Sequence, residues 1–267
     1  MNPRQDSKPV RLVISGCCGR MGSLLVEEAL RDTGSFELVG GVEQEGHARI
    51  GEPLAPSARC RVTSSLSDLL PRADLLIEFT TPQASLAHAR QAAPAGVPML
   101  IGTTGFSAQE LEELRRYTQR IPILWSPNMS IGVVILRRTM AAVYELLKKF
   151  QLESQVSFRL SETHHAQKKD KPSGTAKLLA EDLRALSGRP IEDAQIESIR
   201  EGEVIGIHTV RFDLPAEQIQ LTHEAKDRRL FAQGALLVAR YFLRLWKEPG
   251  LYRMDDFVRA LEQSNSR

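Results

Sequence analysis

Cysteine is scarce in this chain: Cys17, Cys18 and Cys60 are its only thiols, and three make no disulfide framework. Long hydrophobic runs are missing too, so no stretch reaches the length of a membrane span. The opening MNPRQDSKPV lacks the apolar core of a signal peptide. Neither sign of charge dominates: the formal net charge is +2, which gives no electrostatic case for a nucleic-acid partner or an anionic membrane. No segment repeats at a fixed period, and no low-complexity linker divides the chain. A reducing, cytoplasmic setting is therefore expected.

What is present is ordinary globular material. At 267 residues, 42% hydrophobic and 25% charged, the chain suits one large domain or two modest ones with a sizeable core. Its first half alternates strands and helices. Residues 10–15 form a β-branched apolar run ending at a glycine. Residues 21–31 have helical spacing at Met21, Leu24, Leu25 and Ala29, with Gly34 as a stop. Strands are expected over 36–42, 74–79, 98–101 and 121–125, and helices over 82–93 and 108–120, the latter opened by a Ser107/Glu110 capping box. This rhythm implies crossover connections and a parallel sheet. A long helix is expected over 130–150. The pattern then changes to alternation over 152–163, 208–212 and 218–223, the mark of an open, more antiparallel sheet. Residues 231–246 are helical again.

The loop SGCCGRMG follows the first strand. Strand, glycine-rich turn and helix are the opening of a dinucleotide-binding unit. Gly16 permits the tight turn, Gly19 lets backbone approach a pyrophosphate held by helix amides, and Gly22 permits close packing of the helix. The spacing is G-x-x-G-x-x-G, because Cys18 stands where the stricter motif has its second glycine. Glu43, ending the second strand, supplies the acid that would hold ribose hydroxyls. The competing readings are a redox or metal pair at Cys17 and Cys18, and a turn without a ligand. Adjacent cysteines are poorly placed to chelate one metal, and there is no C-x-x-C. No metal site is expected, and the thiols are read as small fillers.

A second informative stretch is ETHHAQKKDKPSGTAKLLAEDL, residues 162–183. Ser173 is placed to cap a helix whose first amides, at Gly174 and Thr175, present a positive end to an anion. His164, His165 and Lys168 add cationic or hydrogen-bonding groups. The plainer alternative is a solvated basic loop before an ordinary capped helix.

These residues resemble a family. GCCGRMG, FTTP at 79–82, IGTTGF at 101–106, SPNMSIGV at 126–133 and THHAQKKDKPSGTA match 4-hydroxy-tetrahydrodipicolinate reductase, also called dihydrodipicolinate reductase, of lysine and diaminopimelate synthesis. R-x-G-x-x-x-G-x-H at 200–208 and F-A-x-G-A at 231–235 extend the match over nearly the whole chain. The resemblance implies a Rossmann-like parallel-sheet domain, residues 1–130 and 230–267, and an α+β substrate and oligomerisation domain with an open mixed sheet, residues 131–229. It implies NAD(P)H-dependent reduction, with loss of water, of a small cyclic dicarboxylate. His164 becomes the acid/base and Lys168 the proton donor, with His165, Ser173, Gly174 and Thr175 on substrate. The cofactor would meet Gly16, Cys17, Cys18, Gly19, Arg20, Met21, Glu43, Phe79, Gly102, Thr103, Thr104, Ser126, Pro127, Asn128 and Met129. A homotetramer is implied as well.

The chain departs from the family pattern at four positions. Gln44 follows Glu43 where NADPH-using members often carry arginine, and Thr81 replaces an arginine found in some members. Glutamine cannot pair with a 2′-phosphate as a guanidinium does, so NADH is the expected cofactor and NADPH the poorer one. Ala166 and Gln167 replace basic residues of some members. Two other functions fit a chain of this class: a different Rossmann-type amino-acid or semialdehyde dehydrogenase, and a non-catalytic NADH sensor.

Overall fold

A computed structural model describes residues 8–265; the first seven residues, which fall in the opening expected to carry no signal peptide, lie outside them. In chain order the elements are β1 (Val10–Ser15), α1 (Arg20–Arg31), β2 (Phe36–Val42), β3 (Val62–Thr63), β4 (Leu75–Glu78), α2 (Pro82–Ala95), β5 (Met99–Ile101), α3 (Ala108–Tyr117), β6 (Pro122–Trp125), α4 (Ile131–Lys149), β7 (Ser157–His164), α5 (Gly174–Ser187), β8 (Ile196–Arg200), β9 (Gly206–Asp213), β10 (Gln218–Ala225), α6 (Arg229–Leu245), β11 (Gly250–Tyr252) and α7 (Met254–Asn265). They fall into two compact units that divide after Met129 and before Arg229.

The first unit holds a seven-stranded sheet in the order β11-β6-β5-β4-β1-β2-β3, with every pair parallel. Parallel strands covered on both faces read as unbroken apolar runs. Leu12–Ile14 in β1 and Leu75–Ile77 in β4 are such runs and are fully buried. The returning α6 lies against α1, where Arg229 pairs with Glu27 and Glu28 at 2.8 and 3.0 Å. The second unit carries a four-stranded sheet in the order β10-β9-β7-β8. Its core includes Met140 and Leu147 of α4, Leu179 and Leu183 of α5, and Val210 and Phe212 of β9. The architecture is Rossmann-like with a separate mixed-sheet unit. No described helix is long and apolar enough to cross a membrane.

Several local expectations shift. α1 stops at Asp32, whose N–H returns to the Ala29 carbonyl, and Gly34 is not in the left-handed region that a glycine stop uses. α3 ends three residues early, where the Thr118 hydroxyl donates to the Arg115 carbonyl at 2.7 Å. Alternation over 152–163 becomes strand only from Ser157, because Leu152 N–H turns back to Leu147 at 2.8 Å. The second sheet is mixed, as expected: β7 and β8 run parallel, and β9 pairs antiparallel with β7 and β10.

Candidate active site

The glycine loop joins β1 to α1 at the carboxyl edge of the parallel sheet. Gly16 has φ +71°, and a Cβ there would stand 2.5 Å from the Phe79 carbonyl oxygen. A Cβ on Gly22 would lie 1.9 Å from the Gly16 carbonyl, so this glycine seats α1 on the turn itself. Gly19 is the exposed N-cap of α1. Arg20 and Met21 begin the helix, and first-turn amides have no intrahelical acceptor. They face whatever anion the loop receives.

Glu43 lies just past β2, as a ribose-binding acid must. Its Oε1 accepts the Cys18 N–H at 2.7 Å, which ties the acid to the glycine loop. Arg49 stands beside them, 3.7 Å from Cys18 Sγ, and is held by Glu52 at 3.1 Å and the Pro53 carbonyl at 2.8 Å. Cys17 is buried, and its sulfur fills the space that a Cβ on Gly41 would need. Burial pushes its thiol pKa upward, which keeps it protonated.

Three further loops end neighbouring strands. Phe79, after β4, lays its ring where a Cβ on Gly102 would be, 2.2 Å away. Gly102, Thr103 and Thr104 follow β5. Thr104 is exposed, whereas Thr103 is buried: its hydroxyl accepts from Thr80 N–H and from Ser85 Oγ at 3.0 Å each, and its carbonyl takes the Trp125 indole N–H at 3.0 Å. Thr103 thus offers a ligand little beyond its backbone. After β6, Ser126 Oγ donates to the Asn128 carbonyl at 2.6 Å; Pro127 is exposed and Met129 is buried. Cradle, acid and strand-end glycines all fit a nicotinamide dinucleotide.

The second unit gathers its polar groups at the end of β7. Glu162 is fully buried. One oxygen contacts His164 Nδ1; the other accepts from Arg200 Nη2 at 2.8 Å and from the Ser173 N–H at 3.3 Å. Burial works to raise the Glu162 carboxyl, but hydrogen bonds led by that from Arg200 outweigh it and hold it below the usual range. Burial lowers the His164 imidazole, with the charges of Lys168 and Arg200 adding to it against Glu162. Lys168 reaches Asp170 at 2.8 Å. His165 is half-buried, and a Cβ on the exposed Gly174 would meet open space. Ser173 caps α5 by accepting from Ala176 N–H at 3.2 Å, leaving the Gly174 and Thr175 amides in the first turn.

Strand register explains the assembly. Glu162 stands opposite His208, and His208 opposite His223. His208 Nε2 meets the Ser173 hydroxyl and His223 Nε2 the Ser130 hydroxyl, each at 3.2 Å. Burial drives His208 down to about 3, so this row of imidazoles is neutral at pH 7. Metal-capable side chains approach one another at Cys17, Cys18 and Glu43 and at Glu162, His164 and His208. A guanidinium already sits against each set, Arg49 on Cys18 and Arg200 on Glu162, and a fixed cation there opposes a metal ion.

Residues 10–129 match the family model described as dihydrodipicolinate reductase, N-terminus, and residues 132–258 match its C-terminal counterpart. The chain belongs to the dihydrodipicolinate reductase family.

Among curated members, the 4-hydroxy-tetrahydrodipicolinate reductase of Syntrophobacter fumaroxidans is 36% identical, over 92% of this chain and 97% of its own. That of Aquifex aeolicus is 37% identical, over 93% and 98%. Solved structures share the fold. Dipicolinate-bound dihydrodipicolinate reductase from Paenisporosarcina sp. TG-14 superposes with TM-score 0.73 at 22% identity, covering 92% of this chain and 97% of that one. GenD2 from gentamicin A biosynthesis, in complex with NAD, gives 0.60 at 15% identity, covering 96% and 92%.

Within this reductase-family chain, four site residues escaped the sequence reasoning: Glu162, Arg200, His208 and His223. Glu162 opens the E-x-H-H pattern two residues before His164, and i, i+2 side chains share a strand face. Arg200 and His208 bound a motif that carried the resemblance yet received no role. The strand pairings that bring them to Glu162 are not local.

Proposed function

We propose that this chain is a 4-hydroxy-tetrahydrodipicolinate reductase, converting that cyclic dicarboxylate to tetrahydrodipicolinate with loss of water. The observation that carries the reading is His164, held at Nδ1 by the buried Glu162, whose other oxygen takes the N–H of Ser173, the N-cap of α5. Elimination of water takes a ring proton and releases hydroxide, which needs a proton to leave as water. Reduction then adds a hydride and one more proton. His164, with Nδ1 against Glu162, presents Nε2 as the base for the ring proton and hands that proton on to the departing hydroxide. Lys168 holds the proton that completes the reduction, and its charge draws the substrate's carboxylates. The amides of Gly174 and Thr175, with His165 and the Ser173 cap, orient the ring. A bound nicotinamide supplies the hydride.

The glycine loop, Glu43, Phe79, Gly102–Thr104 and 126–129 would hold that cofactor. The exposed Gln44 and the acid at Glu43 favour NADH over NADPH. The same reading makes residues 1–130 with 230–267 the nucleotide domain and 131–229 the substrate and assembly domain of a cytoplasmic homotetramer. The test is NADH oxidation with the cyclic intermediate generated in situ. Turnover supports the assignment. Cofactor binding without turnover, or reduction of an amino acid or semialdehyde instead, overturns it.

A further inference from the structure

We infer that Glu162 and Arg200 form a positioning pair that fixes the tautomer of His164 and pins the Lys168 loop, so that one buried ion pair prepares both proton-handling groups. The inference rests on the roles proposed above for His164 and Lys168. His164 Nδ1 faces one Glu162 oxygen, and a carboxylate is an acceptor only. The imidazole must therefore carry its proton on Nδ1, which makes Nε2 the acceptor. Glu162 in turn cannot rotate away. Its other oxygen takes Arg200 Nη2 at 2.8 Å and the Ser173 N–H at 3.3 Å, and the carboxylate is sealed from water.

Arg200 does more than neutralise that charge. Its Nε donates to the Lys168 carbonyl at 3.2 Å, and Nη2 also reaches the Asp170 carbonyl. The guanidinium fork therefore spans from the carboxylate under His164 to the backbone that carries Lys168. The register favours this: Arg200 is the direct strand partner of His164. Next to it, Glu201 N–H donates to the His164 carbonyl at 2.8 Å and Ala166 N–H to the Gly202 carbonyl at 3.1 Å. A lysine could match the charge but not the fork.

Donor counting yields a sharp test. In Glu162→Gln the single carbonyl oxygen must face Arg200 and the Ser173 amide, both obligate donors. The new NH2 then points at His164 Nδ1, and a donor there drives the proton to Nε2. Nitrogen-15 histidine spectra, with His164 assigned by its loss in His164→Gln, should show the Nδ1–H form in the wild type and the Nε2–H form in Glu162→Gln. The kcat of that variant should fall roughly 100-fold with KM within a few fold, the mark of a misplaced base. Arg200→Lys should keep the Nδ1–H signal, because Glu162 still faces His164, yet lose turnover by roughly 10-fold through the released Lys168 loop. An Nε2–H or doubly protonated His164 in the wild type at pH 7 would overturn the inference even if no variant folded. So would an unmoved proton in Glu162→Gln, or undiminished kcat in Arg200→Lys. The tautomer is read without substrate or cofactor. A chain that failed to reduce the cyclic imine would thus sink the functional reading while leaving the tautomer result standing.

Discussion

Each unit of the molecule buries a glutamate against a histidine, and the two pairs live in opposite surroundings. In the nucleotide unit, Glu78 ends β4 fully buried and meets His88 Nδ1 of α2 at 2.7 Å. Its neighbours are hydroxyls: Ser15 Oγ lies 3.1 Å from His88 Nδ1, and Thr80 Oγ1 donates to the other Glu78 oxygen. In the second unit, Glu162 meets His164, but a guanidinium closes the far side and Lys168 bears on the ring. The first pair ties β1, β4 and α2 together beneath the loops at 79–81 and 102–104, so it is scaffold. The second stands at a strand end beside the start of α5, and under the proposed function its histidine takes a proton at Nε2. The same two side chains become structure or chemistry according to what lies on their remaining faces.

The comparison breaks first on stability. His88→Ala removes the partner of a fully buried carboxylate, which we expect to cost about 3 kcal/mol of folding free energy, with turnover per folded molecule unchanged within a few fold. Denaturant melts and active-site-normalised rates measure the two separately. A variant of normal stability and much reduced kcat would move His88 from scaffold to chemistry.

Lys168→Ala should do the reverse. Its ammonium sits in a loop with a partly exposed partner, Asp170, so folding should be little affected. Loss of a positioned proton donor costs roughly 100-fold in kcat, about 2.7 kcal/mol. NADH affinity, followed by fluorescence titration, should stay near wild type. Unchanged steady-state rates would remove Lys168 from the mechanism.

The contrast also marks how far the sequence could be read. Elements with a strong local period were visible as such. β1 is an apolar run after which glycines begin, and α3 opens with a capping box that the structure contains in both directions. β3 and β11 are two and three residues long, too short to carry a period. β8 is held by parallel pairing to a strand more than thirty residues earlier, which no local window contains. α7 differs, since Met254, Phe257, Val258 and Leu261 do have helical spacing. In the site, His164 and Lys168 were legible because they are contiguous with the capped helix. Glu162 carried a local signal in its i, i+2 spacing to His164, whereas Arg200 and His208 did not, because only sheet register brings them to it. Thr103 and Met129 show the converse: they stand in motifs expected to wall a cofactor, but their side chains are spent on the interior.

A smaller effect sharpens the nucleotide side of the comparison. Glu43 is locked to the Cys18 amide, so its carboxylate is poorly free to swing away from a 2′-phosphate. Arg49 is near enough to soften the repulsion but is already shared with Glu52 and Pro53. A preference for NADH of roughly tenfold in kcat/KM, about 1.4 kcal/mol, follows. Gln44→Arg, at an exposed position, should narrow the gap by offering a forked donor. Both cofactors are to be compared at saturating substrate and one ionic strength. Equal use of NADPH by the wild type would show that Arg49 leaves its partners.

The smallest effect is expected at the feature that looks most chemical, the adjacent thiols. Their sulfurs lie 3.8 Å apart, and Glu43 is close enough to complete a donor set. Yet Cys17 is packed against Gly41 with its thiol pushed up by burial, and Cys18 contributes its backbone N–H to Glu43 whatever its side chain. By the logic that separates the two Glu–His pairs, what surrounds these thiols makes them filler. Replacing Cys17 and Cys18 together by alanine should cost about 1 kcal/mol of stability for the lost sulfur contacts. Cofactor affinity and kcat should stay within a few fold, since the turn glycines and the Glu43 anchor are untouched. Lost cofactor binding in a folded double variant, or stoichiometric metal in the wild-type protein, would overturn the filler reading. Either result would place a working group in the nucleotide unit where the structure shows packing.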